Sequence, residues 1–285
     1  MCQLDRYLKN DESVNGMSKL QIEQMQQGEV DALQFRFNFF GNGFRICVYH
    51  VDGLLLETGP RRVRKQMKEF AEVIQPRAIA LTHFHEDHSG NAGFLSGQGR
   101  IPVWMGRQTA EILSDPPRIP FYRRLVWGSI DPVQGEDRDV IETDRFRLRA
   151  VPTPGHAEDH IAWVEEEQGW AFTGDLFLGT RLNYGLREES LTAMAASIRR
   201  LLAFPIRTVF CSHAGVVPEG AKSLEKKLDF LDWLREETLR LHRQGAQPGE
   251  IASRLLKKTP GLVWFSRGEL SPVHLIRTIL REEGV

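Results

Sequence analysis

The sequence lacks most of what would place it in an oxidising or membrane setting. Only three cysteines occur in 285 residues, at Cys2, Cys47 and Cys211. Their odd number and wide spacing argue against a disulfide framework or a paired-cysteine metal knuckle. No apolar run is long enough to span a bilayer. The stretch from Met1 to Val30 is polar and mixed in charge, without the apolar centre of a secretory signal. Nor does one sign of charge dominate, since 37 basic and 38 acidic residues leave a formal net charge of -1. There is no positive surplus to concentrate a polyanion or an anionic membrane surface. A cytoplasmic globular protein acting on a small molecule is the expectation. A nucleic-acid partner gains no support from this balance without being excluded, and a homodimer stays open.

What is present suffices for a large core, with 41% hydrophobic residues in one chain. The alternation Leu33-Gln34-Phe35-Arg36-Phe37-Asn38-Phe39, the turn residues Gly41-Asn42-Gly43 and the run from Arg45 to His50 predict a meander of half-buried antiparallel strands. Val63, Met67, Phe70, Ala71 and Ile74 recur at helical spacing, and after Pro76 the run Ala78 to Leu81 reads as a strand. Strand signals return at Ile101 to Trp104, Val140 to Val151, Ile161 to Val164, Ala171 to Thr173 and Thr208 to Ser212, with a helix from about Ser190 to Ala203. Between these halves, Asp115 to Pro132 is rich in proline, arginine and aromatics and reads as a long loop.

Beyond Gly220 only helices are predicted. Leu224, Leu228, Leu231 and Leu234 mark one, Ile251 to Leu256 a second, and Ser271-Pro272 opens a third as N-cap and first-turn proline. The division expected is a catalytic domain over 1–219 and a helical region over 220–285. Residues 1–30 are set apart as a candidate flexible extension, with a start-site artefact as the alternative for the first sixteen.

The chemistry concentrates in Thr82-His83-Phe84-His85-Glu86-Asp87-His88-Ser89-Gly90, directly after a predicted strand. Isolated core histidines are satisfied by hydrogen bonds. Clustered imidazoles beside carboxylates are what a borderline-soft divalent cation requires.

This segment resembles the HxHxDH motif of the metallo-β-lactamase superfamily. The later elements follow in order: Thr153-Pro154-Gly155-His156, Thr173-Gly174-Asp175 and Ser212-His213. The resemblance covers roughly Leu33 to Gly215. It implies a four-layer αββα sandwich of the α/β class, with two metals between the edges of two sheets and a C-terminal helical appendage. By that resemblance His83, His85 and His156 hold one metal, Asp87, His88 and His213 hold the second, and Asp175 bridges them. Zinc is the expected ion, with iron or manganese as alternatives. A hydroxide held between two such ions would be the nucleophile, because coordination lowers the pKa of water towards ~7. Asp87 and Asp175 then join the catalytic set.

Two residues fall outside the family pattern. Many relatives carry an aspartate in the motif that here reads Leu56-Glu57-Thr58-Gly59, where the carboxylate orients a ligand histidine. His160, four residues after His156, is a candidate catalytic group on the substrate side, with a packed, hydrogen-bonded histidine as the alternative. His50, His242 and His274 lack suitable neighbours and read as structural or surface residues.

The resemblance leads to hydrolysis of an ester, thioester or lactone, as in hydroxyacylglutathione hydrolases and acyl-homoserine lactonases. Phosphodiester cleavage, as in the endoribonuclease branch, is the second reading. Against it stand the neutral charge balance and the lack of a basic, aromatic-interleaved surface. Arg118, Arg123 and Arg124 are the one local concentration of charge, and such a run is commonly a solvated face. An iron dioxygenase ranks third. The diiron branch is disfavoured by His85, antibiotic hydrolysis by the missing export signal, and a non-catalytic module by the complete ligand set.

Overall fold

The computed structural model of the chain describes residues 20–39, 41–257 and 259–285. The flexible-extension reading of residues 1–19 lies outside them. For the rest of that segment the expectation is corrected: Gln21–Gln27 is a strand, β1, paired antiparallel along its length with β2, Val30–Phe39. Ile22 leans on the core under the helix Arg64–Ile74 and Met25 on the core between the sheets, and the backbone pairing with β2 holds the strand.

The chain continues through β3 (Asn42–Val51), β4 (Leu54–Leu56), α1 (Arg64–Ile74), β5 (Ala78–Ala80), α2 (Glu86–Ser89), α3 (Ala92–Gly99), β6 (Val103–Met105), α4 (Arg107–Ser114), α5 (Phe121–Val126) and β7 (Glu136–Asp137). The second half runs β8 (Val140–Glu142), β9 (Arg147–Pro152), β10 (Ile161–Glu165), β11 (Trp170–Gly174), α6 (Leu191–Leu201), β12 (Thr208–Cys211) and β13 (Gly215–Pro218). It closes with α7 (Gly220–Arg243), α8 (Pro248–Leu255), α9 (Pro260–Phe265) and α10 (Pro272–Glu282). One sheet has the order β1-β2-β3-β4-β5-β6-β7 and the other β13-β12-β11-β10-β9-β8.

The central strands are buried on both faces, not half-buried, and their period of two sorts side chains into separate cores. In β3, Ile46 and Val48 meet Met67 and Phe70 of α1 on the outer face. Cys47 and Tyr49 point the other way, into the seam between the sheets, where Leu54, Leu56, Ala78 and Ala80 meet Trp163, Phe172 and Phe210. In the second sheet Ala162, Val164, Ala171 and Val209 face α6, α7, α8 and α10 through Met194, Ile198, Leu224, Leu231, Ile251 and Ile279. Helix, sheet, sheet and helix therefore stack as four layers, each gap sealed by apolar side chains. Among the described residues no helix is long and apolar enough to cross a membrane.

Two local expectations change. The proline-rich segment from Asp115 to Pro132 is not wholly loop: Pro120 sits at the helix boundary, and α5 turns Val126 and Trp127 inward onto Phe37 and Phe44. The C-terminal region holds a fourth helix, α9, too short for an apolar stripe to show in sequence. Two helix starts are capped by side chains, the Ser190 and Ser271 hydroxyls accepting from Ala193 and Val273 backbone N–H groups.

Candidate metal centre

The site lies where strands end. β5 leads into Thr82 and His83, β11 into Asp175, and β12 into Ser212 and His213, while the turn after β9 carries His156. Glycines make two of these approaches possible. A Cβ at Gly155 would stand 2.6 Å from the Met194 backbone, and one at Gly174 would stand 2.4 Å from Thr82 Oγ1 and 2.7 Å from His160 Nε2. Both also have positive φ, so a larger residue at either position would push a ligand loop off the sheet.

All seven residues expected to hold metal converge, in two abutting groups. His83, His85 and His156 form one and Asp87, His88, Asp175 and His213 the other, with the donor atoms of each group within 4.8 Å of one another. Asp175 stands between them: its Oδ2 lies 3.4 Å from His156 Nε2 and 3.4 Å from His213 Nε2, and its Oδ1 is 3.3 Å from His88 Nε2. Asp87 reaches His213 Nε2 at 3.1 Å.

Four of the five imidazoles have a polar group on their outer side, which favours one nitrogen facing inward. His156 Nδ1 lies 2.9 Å from Glu189 Oε1, and His213 Nδ1 donates to the Arg45 carbonyl. His88 Nδ1 faces Glu57 Oε2 at 3.5 Å. Thr82 Oγ1 donates to Glu57 Oε1 at 2.6 Å, leaving its lone pair for His83 Nδ1 at 3.0 Å. Glu57 thus takes the place of the family's shorter aspartate, in a left-handed backbone conformation (φ 65°) that turns its carboxylate inward. His85 differs, presenting Nδ1 3.0 Å from His156 Nε2.

These residues fit divalent metal. Buried His83 Nε2, His88 Nε2 and Asp175 Oδ1 have no hydrogen-bond partner, an arrangement that is costly unless something electrophilic lies among them. Metal–ligand bonds of about 2 Å put tetrahedral donors ~3.3 Å apart, close to the separations of 3.0 to 3.4 Å seen here.

Protonation differs across the site: burial opposes a charge on His156, but Glu189 and Asp175 outweigh it and hold it above the usual histidine range. Burial, reinforced by the surrounding imidazoles, pushes His83 well below the usual histidine range, and burial with Arg123 and His156 does so for His85. Neutral imidazole is the form that binds metal. Burial acts to lower His88 and His213 too, but the carboxylates of Asp175 and Asp87 outweigh it and hold both well above that range. Burial opposes ionisation of Asp175, and His213 and His88 reverse this. Without an ion, the histidines of the second group act as its cations.

His160 does not reach the cavity above the site. It is buried, with Nε2 accepting the Asp175 backbone N–H at 3.2 Å and Nδ1 directed to Thr153 Oγ1 at 2.8 Å. Burial, then His156, pushes it down to about 3. His274 is buried against the Gly268 carbonyl and His50 lies beside Asp31, and neither belongs to the two donor groups.

Three contributors carry no sequence signal. Glu189 is buried behind His156, with its carbonyl bonded by Thr278 Oγ1 and Arg281 of α10. Asp159 accepts from the Phe84 N–H and from Thr109. Arg123, expected among solvated arginines, instead makes a two-pronged ion pair with fully buried Glu86, both bonds 2.7 Å, inside the histidine motif. Its neighbour Tyr122 lines the cavity as well.

The sequence profile of the Metallo-beta-lactamase superfamily matches residues 49–213. A beta-lactamase-like protein 2 homolog of Drosophila melanogaster is 25% identical over 245 residues, covering 81% of this chain and 79% of that one. A hydroxyacylglutathione hydrolase of Xylella fastidiosa is 26% identical over 187 residues, so the chain spans 65% of that enzyme's length, and 39% of an Aspergillus aculeatus atrochrysone carboxyl ACP thioesterase. A metallo-beta-lactamase family protein of Thermus thermophilus shares the fold, with a TM-score of 0.63, 21% identity and 94% of each chain covered. The motifs fall in order within this match, and the chain belongs to the metallo-β-lactamase superfamily.

Proposed function

We propose that the protein is a dinuclear metal-dependent hydrolase of an ester, thioester or lactone. The observation that carries this reading is the pair of abutting donor groups at an open cavity of about 800 Å³, with Asp175 of the second group 3.4 Å from His156 of the first. His83, His85 and His156 would hold one ion, Asp87, His88 and His213 the other, and Asp175 both. Zinc suits this nitrogen and carboxylate set. When bound, two such ions make hydroxide available near neutral pH and polarise a carbonyl.

The remaining work falls to the chain. Glu189, Glu57, Thr82 and the Arg45 carbonyl keep four of the imidazoles turned with the lone pair inward. His160 is a positioning residue, holding the Asp175 backbone without touching substrate. Asp159 and the Arg123–Glu86 pair fix the loop that carries His83 to His88. The helical region 220–285 completes the outer layer over the second sheet and, through α10, supports Glu189. Buried thiols at Cys47 and Cys211 suit a reducing, cytoplasmic setting.

A panel of thioesters, lactones, carboxylic esters and phosphodiesters, run on protein saturated with zinc, manganese or iron, tests this reading. Turnover of acyl substrates well above that of bis(p-nitrophenyl) phosphate is expected. Preference for the phosphodiester, or oxygen uptake with an iron-loaded protein, would overturn it.

A further inference from the structure

One side of the cavity is lined by the edge of an aromatic cluster that begins beside His213. The Trp127 ring lies 6.2 Å from the His213 ring and meets Phe44 at 5.2 Å and Phe37 at 5.6 Å, while Phe37 and Phe44 stack at 5.7 Å. Val126 of α5 and Phe265 of α9 extend the same lining, with Phe265 edge-on to Tyr122 at 5.8 Å. Three segments far apart in sequence, the β2–β3 hairpin, α5 and α9, thus converge on one apolar face beside the metals.

Of the arginines that line the cavity, Arg36 pairs with Glu23 and the exposed Arg181 lies over the rings of Phe230 and Trp233. Arg62 donates to the Val126 and Leu125 carbonyls and lies over the rings of Phe37 and Phe39, each at 5.5 Å. Arg123 is held by Glu86, and Arg45 by the His213 carbonyl. Such a surface rewards contact with carbon and not with hydroxyl groups. Concave sites of about 300–1,000 Å³ accommodate groups far larger than an acetyl or lactoyl unit.

We propose that this aromatic wall is a binding subsite for the acyl part of the substrate, and that the acyl group is apolar, an extended alkyl or aryl-bearing chain and not an acetyl or lactoyl unit. The proposal rests on the acyl-hydrolase reading and narrows it to a substrate class. Lengthening the chain then adds binding at each step, up to about fourfold per methylene that the wall fully covers. Trp127 and Phe44 are the specificity-determining residues.

Two measurements on the metal-loaded full chain test this, one of which needs no turnover. The first compares kcat/KM for acetyl and octanoyl thioesters of one thiol, and for phenylacetyl. The second titrates free acetate and octanoate calorimetrically. Octanoyl is expected to exceed acetyl by tenfold or more in both, and Trp127→Ala to bring both ratios close to one. Should Trp127→Ala fail to fold, Phe44→Ala on the half-buried hairpin edge should lower both ratios several-fold.

Length-dependent binding without acyl turnover would support the subsite and overturn the hydrolase reading. Acyl turnover with no dependence on chain length would leave the hydrolase standing and overturn the subsite. Ratios that survive both substitutions would place the acyl group elsewhere and also overturn it.

Discussion

The floor and the wall of the cavity are built on opposite principles. The floor consists of buried polar groups, most of them backed by a second polar group, so that a change in one member is felt by its neighbours. Glu189 behind His156, Glu57 and Thr82 behind His88 and His83, and the His160 nitrogen under Asp175 all serve this end. The wall is an assembly of rings from separate segments, held by apolar contact and by arginines outside it. Changes at the floor should therefore alter metal binding and rate for every substrate. At the wall they should alter which substrate is preferred.

Effects at the floor should fall off with distance from the Asp175 carboxylate. Asp175→Ala removes the side chain that stands between the two groups and should lower turnover by at least about a thousandfold, read as kcat with metal content measured in parallel. Glu189→Ala leaves His156 Nδ1 without its acceptor and should cost about 10- to 100-fold in metal affinity or activity for all substrates alike. A change in acyl preference with unaltered metal content would blur the distinction between floor and wall.

Lys227 tests how far the polar support extends. It is fully buried in α7, its Nζ donating to the Phe177 carbonyl at 2.5 Å, two residues beyond Asp175. Burial lowers its pKa from 10.5 to about 8. Between those values the unfolded chain binds more protons, so this group adds stability as pH rises from about 8 to about 10.5. The stability difference between wild type and Lys227→Met should grow in favour of wild type by roughly 3 kcal/mol across that window. Denaturant titrations at pH 7.5 and 10.5 measure it, and a pH-independent difference would mean that Lys227 is not buried as a neutral amine. At the far end of the scale, His242→Ala on the half-buried side of α7 touches neither region. It should shift stability by no more than about 0.5 kcal/mol and leave kcat unchanged.

The same contrast governs what can be read from sequence. The floor is legible because its ligands cluster within six positions and the later ones each follow a strand, a spacing that chemistry constrains. The sandwich is legible for a related reason: alternating and continuous apolar runs report sheet faces and buried strands. What escapes is whatever depends on packing between remote segments. Arg123 looks like one of several exposed arginines until α5 brings it onto Glu86. Glu189 has no periodicity or motif around it, and α9 is too short for one. β1 is hidden because its glutamines, Gln21, Gln24, Gln26 and Gln27, give no apolar alternation, while its backbone pairing with β2 needs none. His160 resembles a catalytic histidine by its nearness to His156 along the chain, whereas the fold turns its ring beneath Asp175.

The central claim is that two ions share this floor, and metal stoichiometry tests it most directly. Protein stripped with chelator and titrated with zinc, with bound metal counted by elemental analysis after gel filtration, should reach two ions per chain. In Asp175→Ala the plateau should fall to one or below. A wild-type plateau that stays at one ion per chain under saturating zinc would contradict the dinuclear account.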